Sequence, residues 1–223
     1  MAKLEGIIYK AFDNYVVLRG FAEIGELAAI SQKSDSYQRV ADEGHKKRII
    51  EFLKEGRYVY FPDIILACRA ENYSLFRTQV GSDNDVDFKD AAFVKGLNVM
   101  HEYLPIKGHR ARHASIEIEK DKKLFRIDGN HRLEPFDESI EWWYDLLKIP
   151  EEIENESDGE KKKGWLKHQA TKYKENLSSK IVPYTIIFTD QTSAEDFEAG
   201  IFHNINFKHL PLKEEASLRI ISE

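Results

Sequence analysis

The chain has 223 residues, 42% of them hydrophobic and 32% charged, which describes a globular protein with one sizeable core and excludes a disordered tract. A net charge of −6 and a pI near 5.8 exclude a protein that coats nucleic acid through bulk charge, so any DNA contact has to come from a local patch. No apolar run is long enough to span a bilayer, and Met1 to Glu5 lack the apolar core of a signal peptide, so no membrane partner and a cytoplasmic location are expected.

Residues 6 to 22 are rich in strand formers (Ile7, Ile8, Tyr9, Tyr15, Val16, Val17, Leu18), and Asp13-Asn14 suits a hairpin turn, so two strands are expected. Ile24, Leu27, Ala28 and Ile30 recur at helical spacing, and the short helix they predict runs out near the polar stretch Ser31 to Ser36. Tyr37-Gln38-Arg39 follow; by themselves they read as a solvated loop. Residues 43 to 55 predict a firm helix. Ile49, Ile50, Phe52 and Leu53 form its apolar face, His45, Lys46, Lys47, Arg48 and Lys54 lie on or near the other, and Gly56 is placed to stop it. A basic helix face is ordinarily solvation, and contact with DNA phosphates is the alternative. Past Pro62, Ile64 to Ala67 predict a buried central strand, in whose continuation Cys68 is a small buried thiol, not a nucleophile.

From Asn72 to His113 periodicity is poor, and the segment reads as an insertion on the core, with a loop at Gly81 to Asp85. It closes on the basic run Lys107 to His113, in which Arg110 and Arg112 are candidates for nucleic-acid contact. His109 and His113 have the spacing of two ligands on one helical turn, but no cysteine or nearby carboxylate pair completes a metal set, so no metal site is expected. An apolar run through Ile116, Ile118, Leu124, Phe125 and Ile127 then delivers the chain to Asp128-Gly129-Asn130-His131-Arg132. Gly129 permits a conformation other residues avoid, Asn130 is suited to cap a following helix, and Arg132 offers a fork for a phosphate. Asp128 could hold a water or a metal and His131 could move a proton near neutral pH. An Asp-Gly turn followed by solvated His-Arg is the plain alternative.

These five residues resemble the signature of the DGQHR-domain family, with Asn130 where that pattern has Gln. Leu18-Arg19-Gly20-Phe21, Tyr37-Gln38-Arg39 and Phe61-Pro62-Asp63-Ile64 look like the opening half of that domain. Val182 to Phe188 and Phe202-His203-Asn204-Ile205-Asn206 look like its closing half. The family includes DndB-like DNA-modification regulators and is similar to the ParB and sulfiredoxin superfamily. The resemblance implies a mixed α/β (α+β) fold, a small mixed sheet surrounded by helices. It also implies a cleft in which Gly129 and Arg132 grip nucleotide phosphates with Gln38 and Arg39 facing them. Sulfiredoxin carries a cysteine where this chain has Asn130, so sulfinic acid repair is not expected.

Beyond the corner, Pro135 limits a helix beginning at His131 to a short piece. A second start near Asp137 leads to Trp142 and Trp143, neighbours that cannot share a helix face; one should be core and the other should lie at an interface. Residues 150 to 180 shift from acidic to basic and read as a peripheral or mobile segment with a helix from Gly164 to Asn176; Trp165, Lys167, Lys172 and Lys174 could grip a strand of nucleic acid, or simply be solvated. Ile181 to Thr189 is the clearest strand. Thr192 to Glu195 open a helix whose buried face carries Phe197, Ile201, Phe202 and Ile205 and at whose end stand Asn204 and Asn206. Pro211 precedes a last amphipathic helix, Leu212 to Glu223, after which the natural chain is expected to continue.

The expectation is thus a single domain over 1–223, with insertions at about 72–113 and 150–180. It would bind a nucleotide and DNA within a DNA-modification or phage-defence system, hydrolysing ATP or a related nucleotide with Mg²⁺ as the resemblance implies. Asp128 and His131 are the catalytic candidates. Gln38, Arg39, Gly129, Asn130, Arg132 and Asn206 are the phosphate-binding candidates, and Lys46, Lys47, Arg110 and Arg112 the nucleic-acid contacts. A non-catalytic DNA-binding regulator of phosphorothioation and a ParB-like nuclease are the alternatives. Other proteins of such a system are the expected partners, and a homo-oligomer is left open.

Overall fold

The computed structural model of the chain describes residues 2–11, 15–34, 36, 42–56, 60–70, 97–103, 112–118, 122–190 and 192–207. The architecture is mixed α/β. The strands are β1 (Ala2–Lys10), β2 (Val16–Glu23), β3 (Ser31–Gln32), β4 (Ile64–Ala70), β5 (Leu97–Tyr103), β6 (Arg112–Ile118), β7 (Leu124–Asp128) and β8 (Ile181–Asp190). They form an eight-stranded sheet in the order β3-β7-β4-β8-β2-β1-β6-β5. β8 lies centrally, parallel to β4 and antiparallel to β2, and β7 runs antiparallel to β4. The strands at 2–10 and 16–23 agree with expectation, while the Asp13-Asn14 turn lies outside the described residues. Leu97–Tyr103, part of the poorly periodic insertion, pairs with β6 as the outermost strand. Its only described neighbour is β6, and such an edge strand has little need of a clear alternating pattern.

The helices are α1 (Ile24–Ile30), α2 (Glu43–Glu55), α3 (Asn130–Asp137), α4 (Glu151–Glu154), α5 (Gly159–Ser178) and α6 (Ala194–Phe207), with a 3-10 helix at Trp142–Leu146. α2 has the predicted limits because Asp42 accepts a hydrogen bond from the His45 N–H at 3.0 Å and Gly56 closes the helix with φ 63°. α5 is longer than the sequence pattern suggests: Asp158 caps it by accepting from the N–H groups of Glu160 and Lys161. It is also not merely peripheral, since Ala170 and Leu177 are buried. Within the charge run, Tyr173 and Lys174 of this helix pack on the buried Trp143, whose ring centre lies 5.9 Å from that of Tyr173 and 5.7 Å from the Lys174 ammonium.

Strand residues alternate between two faces. Leu18, Leu66, Tyr184, Ile186 and Phe188 point to one face and form the core with Leu27, Ile50, Leu53, Leu133, Trp143 and Leu177 of the helices. On the opposite face Arg69 lies 3.6 Å from the Phe125 ring centre and donates to both carboxylate oxygens of the fully buried Glu198, which seats α6 there. Phe197 of α6 stacks on Tyr15 at 4.3 Å. The two tryptophans divide as expected: Trp143 is buried, and Trp142 donates its indole N–H to Glu43 at 2.8 Å.

Candidate functional site

The Asp128 to Arg132 corner joins the end of β7 to α3, and its geometry differs from the predicted one in several respects. Gly129, not Asn130, occupies the cap position, with φ 90° and ψ 8°. Gly129 is buried, and a side chain there would place its Cβ 2.6 Å from Ile64 Cδ1, so the bend is packed against the core on that side. Asn130 is the first helical residue and is buried; its amide donates to Glu134 at 3.0 Å and its oxygen accepts from Arg126 at 3.3 Å. The expectation that Asn130 caps the helix and faces a phosphate is thereby corrected: the pocket beside Arg126 draws its polar end inward.

Arg126, between the apolar Phe125 and Ile127, anchors the corner. It is 1% exposed, and its guanidinium donates to Asp137 at 2.5 and 2.9 Å, to Ser31 Oγ at 2.9 Å and to the Ala28 carbonyl at 3.1 Å. One side chain thus ties β7 to α1, β3 and the end of α3. The alternation of apolar residues around it was the available signal, since a charge in an inward register needs partners.

Arg132 donates to Asp128 at 2.7 Å and to the Pro62 carbonyl, and its guanidinium carbon lies 5.6 Å from the Phe61 ring centre. Its side chain is only 12% exposed. Burial pulls the guanidinium below its ordinary value, and Asp128 opposes that shift. The phosphate fork is therefore engaged inside the protein, and Asp128 is engaged with it. Beyond this pair a second one lies on the face opposite the main core: Asp63 accepts from Arg19 and from Thr185, each at 2.9 Å. The register that puts Arg19 opposite Thr185 on neighbouring strands makes this possible, and sequence reading gave neither Asp63 nor Thr185 a role.

His131 is exposed, and its ring stands 5.3 Å from that of His45 on α2, centre to centre. α2 does not present one basic face. His45, Arg48 and Phe52 share the flank toward His131 and Phe61, with Phe52 and Phe61 rings 6.4 Å apart. Lys47 and Lys54 lie on the far flank, near Asp145 and the Tyr173 ring. Lys46 is buried and held by Glu43 at 2.7 Å and by Glu138, which corrects its assignment as a DNA contact. Lys174 likewise turns inward, donating to the Glu138 carbonyl at 2.7 Å.

Gln38, Arg39, His109 and Arg110 lie outside the described residues, as does the segment Leu212 to Glu223 for which a final helix is expected. Arg112 and Asn206 are placed in β6 and α6, but their side chains also lie outside the description. His113 belongs to a strand, so the helical spacing assumed for a His109 and His113 pair does not apply. Among the described residues no group of three or more His, Cys, Asp and Glu could hold a metal ion, and no helix is long and apolar enough to cross a membrane.

Comparison with protein-family models, curated proteins and solved structures finds no match to this chain.

Proposed function

We propose that the chain is a DNA-recognition domain of a DNA-modification or phage-defence system that contacts backbone phosphates beside the Asp128 to Arg132 corner and does not hydrolyse a triphosphate there. The observation that carries this reading is the 2.7 Å pair between Arg132 and Asp128. A triphosphatase needs that carboxylate for Mg²⁺ or water and that guanidinium for phosphate, and both are committed to each other and to Pro62. The cations that face solvent around the corner are Arg48 and two whose side chains stay about half exposed beside a carboxylate, Arg19 (58%, with Asp63) and, on the far flank of α2, Lys47 (44%, near Asp145). Spaced surface cations with an acidic remainder suit local phosphate contact, with affinity that falls as salt rises.

The test is DNA binding by fluorescence anisotropy across a salt series, run beside an ATP-turnover assay in Mg²⁺ and Mn²⁺. Three phosphate contacts imply a log–log slope of about −3, and Arg48→Ala lowers its magnitude by about one. ATP turnover abolished by Asp128→Asn, or DNA binding indifferent to salt, refutes the proposal.

A further inference from the structure

Aromatic rings and guanidinium groups are gathered at the rim of the corner in a way that phosphate contact alone does not require. Tyr60 is 73% exposed and Phe52 39% exposed; the buried Phe61, next to Tyr60 in the chain, has its ring centre 6.4 Å from that of Phe52. Arg132 lies over Phe61, the residue next to Tyr60. On α2, His45, Arg48 and Phe52 follow one another along the same flank, and His45 continues to the exposed His131. The flank ends at Glu55, whose charge opposes a phosphate.

We infer that this rim binds single-stranded DNA, with unpaired bases stacking on Tyr60 and Phe52 and the backbone passing Arg48. The inference rests on the DNA-binding reading and names the form of DNA. In a duplex each base already stacks on its neighbours, so an exposed ring has no base face to meet. In a single strand every base has one, and an aromatic side chain contributes regardless of sequence. An exposed ring one helical turn from an exposed cation, as Phe52 is from Arg48, matches that alternation of apolar base and anionic phosphate. Scattered apolar residues on a surface mean little, but Phe52 meets the ring of Phe61, the neighbour of Tyr60, and the Arg132 guanidinium lies over that same ring.

The experiment measures anisotropy of a labelled oligothymidylate and of the same strand annealed to oligoadenylate, with the parent chain, Tyr60→Ala and Tyr60→Phe. Tyr60 is exposed enough for either substitution to leave the fold intact, which circular dichroism verifies. A stacked base contributes ~1–3 kcal/mol, or about 5- to 150-fold in affinity. The parent is expected to favour the single strand, and Tyr60→Ala to reduce that preference at least about fivefold, while Tyr60→Phe keeps it. Duplex binding that equals or exceeds single-strand binding, or a preference indifferent to Tyr60→Ala, overturns the stacking inference and leaves the DNA-binding reading standing. Absence of binding to both forms at low salt refutes the reading beneath it.

Discussion

Replacing Arg132 with alanine distinguishes a guanidinium that holds the fold together from one reserved for a ligand. The side chain is 12% exposed and Asp128, its partner at 2.7 Å, is 27% exposed, so neither is fully screened by water. Arg132→Ala removes one charged hydrogen bond to Asp128, one bond to the Pro62 carbonyl and the packing over Phe61. A bond to a charged group contributes about 1.5–3 kcal/mol, and the orphaned Asp128 recovers some hydration, so the net loss is about 2–3 kcal/mol. For a chain of this size that lowers Tm by about 4–12 °C. Urea unfolding of the parent, Arg132→Ala, Asp128→Asn and the double variant measures both the loss and the coupling, which should reach about 1 kcal/mol. A ligand anchor held against its own preference would give the opposite result, unchanged or increased stability on removal. A loss below about 0.5 kcal/mol with no coupling would show that the internal pairing is not what the corner is built for.

Gly129→Ala combines a positive φ with a contact at 2.6 Å to the buried Ile64, and should cost about 2–3 kcal/mol, whereas Gly56→Ala, at φ 63° with open space around it, should cost about 1; equal costs in urea titrations would contradict the walled geometry. Burial by itself lowers the Lys46 ammonium, but Glu138 and Glu43 outweigh it and hold it above its ordinary value, while Glu43 is held low chiefly by its bond to Lys46. The Lys46 contribution is complete below the unfolded value of about 10.4 and lost as pH rises through the raised folded one; that of Glu43 is present above about 4.3 and lost as pH falls through the lowered one. The stability difference between the parent and Lys46→Met should therefore be level from about pH 5 to 10 and shrink on either side; a difference that stays constant down to pH 3 contradicts the pairing. Burial pushes the Cys68 thiol up to about 12, so it should resist a thiol reagent at pH 8 in the folded chain and react once urea unfolds it, as rapid labelling of the native protein would disprove.

Local rules carried much of the element pattern. The limits of α1 and α2, the glycine stop at Gly56, the buried Cys68 and the central strand β8 follow from spacing, caps and propensity, all of which act over a few neighbouring residues. The corner itself was legible as a bend, because Asp-Gly before a polar run needs little context. Where its side chains go was not. Arg126, Asn130 and Lys46 are ordinary polar residues until residues far along the chain supply their partners: Ser31 and Asp137 for the first, Glu138 for the last. A charge can be buried or solvated at almost any helix or strand position, and desolvation set against partner strength decides which. The sequence by itself determined the bend and the chemistry available near it. Only the tertiary structure decided that Arg132 turns inward to Asp128 and Pro62, leaving Tyr60, Phe52, His131 and Arg48 at the surface, because those contacts join segments that no local rule brings together.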